Sequence, residues 1–153
     1  MYEIYCDGSC KSNGTSEAKA AYGFILYEIT PTSKVELYRE SGPIEGKATN
    51  NVAELTALLK ALQYWKAAYG DTVIVHCDSA YIVNCYKNKW IDNWKRNGWM
   101  TANRKPVKNK ELWMQIDEFF SDRRNVILDK VEGHAGIEGN ELVDKMAQGV
   151  WIK

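Results

Sequence analysis

The distribution of apolar and polar positions divides the chain into alternating strand and helix patterns. Within residues 1–7 an apolar, aromatic-rich stretch runs into a carboxylate, Ile4-Tyr5-Cys6-Asp7, with Gly8-Ser9-Cys10 beyond. This predicts a strand that ends in an Asp-Gly turn. Residues 12–19 are polar and contain Asn13-Gly14, which predicts a turn. Residues 21–30 are rich in β-formers and predict a second strand, closed by Pro31-Thr32-Ser33. Residues 35–40 alternate apolar and polar, as in a half-exposed third strand. Connections this short make the three strands antiparallel neighbours.

Thr49-Asn50-Asn51 then offers capping side chains ahead of a helix pattern. Val52, Leu55, Leu59 and Leu62 recur at three and four, giving an apolar stripe that continues to Ala68. Tyr69-Gly70-Asp71 ends it, and residues 73–77 form a near-continuous apolar run, as in a strand buried on both faces. That run also ends in a carboxylate, Asp78-Ser79. A long helix between the first and fourth strands implies a crossover and parallel pairing. Short helices are predicted over 80–89 and 91–96, with Asn97-Gly98 breaking the second. A longer one covers 107–120, with Leu112, Ile116, Phe119 and Phe120 inward. A fifth strand over 126–131, a loop at Gly133-His134-Ala135-Gly136 and a final helix over 140–150 complete the chain. The last helix packs through Leu142, Val143, Met146 and Ala147. The order implies one α/β domain over residues 1–153: a five-stranded mixed sheet, first antiparallel and then parallel, flanked by helices.

The composition narrows the class. The 153 residues are 45% hydrophobic, enough for a core without staples. Formal net charge is zero, which argues against wholesale polyanion binding. No window approaches the roughly 20 apolar residues of a membrane span, and the N-terminus has no signal-peptide pattern. Cys6, Cys10, Cys77 and Cys85 lack zinc-ligand spacing and read as reduced thiols of a cytoplasmic protein.

Four acids stand out by position. Asp7 and Asp78 end apolar strands, at the sheet edge where ligands collect in open α/β folds. Glu54 lies in the first turns of the long helix, and Asp144 early in the last helix, ten residues after His134. Singly, each has an ordinary reading: Asp78-Ser79 as a helix cap, Glu54 as a first-turn acid, Asp144 as a surface residue. Brought together, they would repel unless a multivalent cation sat among them, and hard oxygen ligands suit Mg²⁺ or Mn²⁺. Two such ions about 4 Å apart could clamp the attacking and leaving oxygens of a phosphoryl displacement.

Four stretches carry a family likeness: Cys6-Asp7-Gly8-Ser9-Cys10, Thr49-Asn50-Asn51-Val52-Ala53-Glu54-Leu55, Cys77-Asp78-Ser79-Ala80-Tyr81, and Gly133-His134-Ala135-Gly136 through Asp144. In this order they closely resemble the type 1 ribonuclease H family. The resemblance implies a ribonuclease H-like fold and hydrolysis of the RNA strand of RNA–DNA hybrids, leaving a 5′-phosphate and a 3′-hydroxyl. It implies that Asp7, Glu54, Asp78 and Asp144 bind two Mg²⁺ ions (with Mn²⁺ as an alternative), Asp7 bridging them. Asp144 would serve the ion that activates water, and Glu54 and Asp78 the ion on the leaving-group side. His134 would assist proton transfer or product release, and Asn140 would place the loop and the ligands. A monomer is expected. A non-catalytic hybrid-binding module is the alternative. An integrase- or resolvase-like nuclease is a third reading, against which the GlyHisAlaGly loop and the basic segment argue.

Charge is unevenly spread. Residues 87–110 carry eight Lys/Arg against one acid, Asp92, leaving 12 of the 20 basic and 19 of the 20 acidic side chains to the rest. Such a segment suits phosphate tracking, or is a solvated face. Trp90, Trp94 and Trp99 lie within it, and Trp90 and Trp94, four apart, share a helix face as substrate contacts or as small-helix core. The segment resembles the basic protrusion of bacterial type 1 enzymes. That likeness implies a DNA-phosphate pocket of Lys47, Thr49 and Asn93, with Trp90 packing on a deoxyribose. Cys10, Asn13, Asn50, Asn51 and Ala80 would line the RNA strand's minor-groove side, where 2′-hydroxyls distinguish RNA. Two departures stand out. Ser12-Asn13-Gly14-Thr15 replaces the family's Gly-Asn-Pro-Gly, and Ala80 stands where Gln is common.

Overall fold

The computed structural model describes residues 1–11, 19–46, 48–68, 72–101, 103–120, 126–130 and 138–150. The strands are β1 (Tyr2–Lys11), β2 (Lys19–Ile29), β3 (Lys34–Ile44), β4 (Val73–Cys77) and β5 (Val126–Lys130). The helices are α1 (Asn50–Ala68), α2 (Ala80–Lys87), α3 (Trp90–Arg96), α4 (Lys110–Phe120) and α5 (Glu138–Gly149). They build one sheet in the order β3-β2-β1-β4-β5. The β1–β2 and β2–β3 pairs are antiparallel, and β4 pairs parallel with both β1 and β5, as the sequence predicts.

β1 departs from expectation in a way that matters for the site. It does not turn at Asp7-Gly8 but continues to Lys11, because β2 pairs with it over its whole length, Asp7 facing Gly23 and Lys11 facing Lys19. Its parallel ladder with β4 stops at Tyr5–His76. Asp7 is therefore interior to one ladder and just past the end of the other. β4 differs too. Val73, Val75 and Cys77 are buried, but Ile74 and His76 are only half-buried, because α5 packs mainly on β1 and β2.

The larger core lies on the α1 side of the sheet. Ile4, Phe24, Leu26, Val73 and Val75 meet Leu55, Leu58, Leu62 and Trp65 of α1, with Ile82, Trp113 and Ile116 closing the far end. Each fully buried aliphatic side chain contributes about 2 kcal/mol. Trp113, not marked by the sequence pattern, is the buried anchor of α4, while Leu112 and Phe119 are only partly covered. On the other face Tyr5, Ile25, Tyr27 and Val143 form a smaller cluster under α5. Local signals set several boundaries. Thr49 caps α1, its hydroxyl oxygen accepting from the Val52 N–H at 3.2 Å. Lys89 (φ 59°) separates α2 from α3, and Asn109 (φ 61°) delays the start of α4 from the expected 107 to Lys110. No helix among the described residues is long and apolar enough to cross a membrane.

Two glycines permit close approach. A Cβ built on Gly8 would stand 2.2 Å from the Ala53 carbonyl carbon and 2.4 Å from the Glu54 nitrogen. One on Gly139 would stand 2.6 Å from the Tyr5 ring. The first lets the opening turns of α1 lie directly on β1, and the second does the same for α5. Gly8→Ala must therefore push α1 outward, and overpacking of this kind costs about 1–3 kcal/mol. Urea unfolding should register that loss.

Candidate active site

Side chains alternate across β1. Ile4 and Cys6 join the α1-side core and Gly8 abuts α1, whereas Tyr5 lies under α5. Asp7 thus belongs to the α5 face, where its carboxyl lies within hydrogen-bonding reach of Asp144 on α5. Glu54 comes from the opposite layer and Asp78 from the residue after β4. Even so, one carboxylate oxygen from each of Asp7, Glu54 and Asp78 lies within 4.8 Å of the others. Elements from both faces meet here because the β1–β4 ladder has ended and Gly8 has no side chain in the way. The structure so brings together the four acids singled out in the sequence, as a triad plus Asp144, with Asp7 common to both groupings.

Burial, and after it the crowding of like charges, disfavours the ionised form of these acids. Asp7 is 7% exposed. Burial, with the charges of Asp78 and Asp144 and a hydrogen bond to Asp144, pushes its pKa from an ordinary 3.8 up to about 8, opposed by the Gly8 N–H. That N–H donates to Asp7 Oδ1 at 2.9 Å. Burial likewise raises Glu54, opposed by a hydrogen bond from Ser79 and reinforced by Asp78. The donors are all hard oxygens, close enough to share one ion, and their mutual repulsion is what a divalent cation would relieve, so the triad fits such an ion.

Two side chains absent from the expected set support these acids. Ser79 is buried; its Oγ accepts from the Ile82 N–H at 3.2 Å, capping α2, while the hydroxyl also serves Glu54. The Gln148 amide donates to both oxygens of Asp144, at 3.0 and 3.1 Å. Its spacing of four from Asp144 was the available signal.

The expected substrate residues are spread over several elements. Thr49, Asn50 and Asn51 lie at the head of α1, Asn50 exposed and Asn51 half-buried, and Ala80 is the exposed first residue of α2. Cys10 is half-buried, its thiol 3.5 Å from the Ala48 carbonyl oxygen. Trp90 opens α3 and is 43% exposed, and exposed Asn93 accepts from Arg96. Trp94 lies inward against Trp99 and Trp113, so the two tryptophans do not present one shared open face. The buried meridian of α3 runs through Ile91 and Trp94, and Trp90 sits off its edge. Asn140 is buried in the first turn of α5, its Oδ1 without a hydrogen-bond partner among the described residues. Asn13, Lys47 and His134 lie outside the described residues.

Comparison with known proteins is consistent along the chain. The RNase H family profile matches residues 1–151. A protein of Clostridium botulinum named Ribonuclease H is 39% identical over 145 residues, covering 94% of this chain and 91% of its own. One from Neisseria meningitidis named Ribonuclease HI is 39% identical over 144 residues, covering 94% and 90%. The solution structure of the PFV RNase H domain superposes with a TM-score of 0.79 at 29% identity, covering 99% of this chain and 94% of that one.

Folding raises the Asp7 pKa, so the folded state holds this proton more tightly than the unfolded chain does. The stability this confers is complete below about pH 4 and is lost as pH rises through about 8. Cation-free protein should therefore lose melting temperature across that window, and saturating divalent cation should flatten the profile. Cation uptake near pH 7 should also release a proton, read from the buffer dependence of calorimetric heats. Ser79→Ala removes a helix cap and should cost about 1 kcal/mol in chemical unfolding; the change should also raise the Glu54 pKa, followed by carboxyl NMR.

Proposed function

The chain belongs to the RNase H family of metal-dependent endoribonucleases, and on that premise we propose that it hydrolyses the RNA strand of RNA–DNA hybrids, leaving a 5′-phosphate and a 3′-hydroxyl. The observation that carries the proposal is the convergence of Glu54, Asp78 and Asp144 on the buried carboxyl of Asp7, in a chain matched from end to end by one nuclease family. We take the protein to act as a single-domain monomer in the cytoplasm.

In this reading Glu54 and Asp78 would hold one cation, Asp144 another, and Asp7 would serve both. Two bound Mg²⁺ or Mn²⁺ ions would supply charge stabilisation at the attacking and leaving oxygens. Asp7 is kept in place by the Gly8 N–H, and Glu54 by the Ser79 hydroxyl. His134 moves a proton or assists product release, a task open to an imidazole because the intrinsic pKa of histidine is about 6.5. Asn140 places the loop and the acids.

Substrate is held by shape and charge rather than by base sequence. Lys47, Thr49 and Asn93 bind a phosphate of the DNA strand, and Trp90 offers its exposed ring to a deoxyribose. Cys10, Asn13, Asn50, Asn51 and the backbone of Ala80 face the RNA strand, whose 2′-hydroxyls separate it from DNA. Because Ala80 has no side-chain amide, contact there is limited to its main chain. Seven of the eight basic residues in 87–110 are exposed and line the path of the DNA phosphates.

Purified protein with Mg²⁺ or Mn²⁺ should cut the RNA of a labelled hybrid and spare duplex DNA. Asp7→Asn should remove detectable turnover and leave the fold intact by circular dichroism. A wild-type protein that binds hybrids but leaves them uncut with either ion would instead be a non-catalytic binding module.

A further inference from the structure

Two rows of side chains, each spaced by four, run side by side along α5. Gly139, Val143 and Ala147 are buried and seat the helix on the sheet. One position on, Asn140, Asp144 and Gln148 form a polar row, turned from the first by about 100°. Asn140 is buried at one end of this row, Asp144 is half-buried in the middle, and Gln148 is exposed at the other end. The Gln148 amide nitrogen stands 3.0 Å from Asp144 Oδ1 and 3.1 Å from Oδ2. One neutral donor thus engages both oxygens of the carboxylate that faces Asp7.

We propose that Gln148 is a positioning residue: its amide holds the Asp144 carboxylate turned toward Asp7 and so sets the divalent-cation affinity of the Asp144 side of the site. The inference rests on Asp144 being a metal-holding residue, as proposed above. A neutral donor suits this task. Lys or Arg at position 148 would pair with Asp144 and compete with an incoming cation, whereas an amide orients the carboxylate and leaves its charge available. Without the amide, a half-buried aspartate regains rotamer freedom that cation binding must then remove. Outer hydrogen bonds of this kind typically carry about 10–100-fold in metal affinity.

The experiment titrates Mn²⁺ into substrate-free protein by calorimetry, for wild type, Gln148→Met, Asp144→Asn and the double variant. Methionine keeps the length and helix propensity of glutamine but has no amide donor. Because Gln148 is exposed, the variant should fold, and Gln148→Ala serves as a second version of the same deletion. The part of the isotherm lost in Asp144→Asn defines the affinity of the Asp144 side. Gln148→Met and Gln148→Ala should weaken that component about tenfold. In the Asp144→Asn background the same change should alter binding by less than about twofold, since the partner it acts through is gone. If Gln148→Met binds Mn²⁺ within about twofold of wild type while Asp144→Asn is weakened, the positioning role is overturned and the site reading stands. An equal loss in both backgrounds also overturns it. If Asp144→Asn binds Mn²⁺ as wild type does, the site reading itself fails and the inference falls with it.

Discussion

The carboxyl of Asp7 is buried with three other carboxylates converging on it, and it is driven to hold a proton well into neutral pH. Isolated anions at such separations in a low-dielectric setting are strongly disfavoured. Each of the four arrives from a different part of the fold: an interior position of β1, the second turn of α1, the residue after β4 and the middle of α5. No two of them are neighbours in sequence, so the crowding is a product of the tertiary fold. The repulsion is opposed by the whole assembly, and the cores on both faces of the sheet supply the opposing free energy. The site is therefore a place of electrostatic strain that the rest of the fold holds together, and a divalent cation among these oxygens would relieve it.

How close the elements come is decided by missing side chains. Gly8 lets the carbonyl end of the first α1 turn rest on β1, which carries Glu54 to the neighbourhood of Asp7 although the two start on opposite faces of the sheet. Gly139 seats α5 against the Tyr5 ring and so sets the height of Asp144 above the same carboxyl. Hydrogen bonds then fix the rotamers. The Gly8 N–H engages Asp7, the Ser79 hydroxyl engages Glu54 while capping α2, and Gln148 engages Asp144. Backbone approach thus brings the acids together, and hydrogen bonds from one backbone N–H and two polar side chains set their orientation.

The basic segment follows a different design. Its charges project from short helices and turns, and Lys89, Trp99, Arg104 and Asn109 all adopt positive φ there. A left-handed conformation at a residue with a side chain costs on the order of 1 kcal/mol. What holds these turns is an aromatic foot, in which Trp94 packs on Trp99 and Trp113 and Tyr81 accepts a hydrogen bond from the Trp113 indole at 2.9 Å. Lys95 pairs with Asp117 at 3.0 Å and ties α3 to α4. The remaining exposed cations sit on that ordered base.

Periodicity along the chain determined the number, type and order of elements. Runs of Val, Ile and Tyr can satisfy their burial only as strands, and the Val52–Leu62 spacing only as a helix. The positions of Asp7, Glu54, Asp78 and Asp144 within those patterns were enough to single them out. Tertiary structure alone decided that β1 runs through Asp7-Gly8, because a turn signal in two residues gives way to a full antiparallel partner in β2. It likewise separated Trp90 from Trp94, since a neighbouring helix selects which edge of α3 is covered. The hydrogen bond that Ser79 gives Glu54, and the close approach at Gly8 and Gly139, belong to the same class. Local propensity is a property of a few consecutive residues, whereas distances between faces of a sheet depend on which distant side chains are present and which are absent.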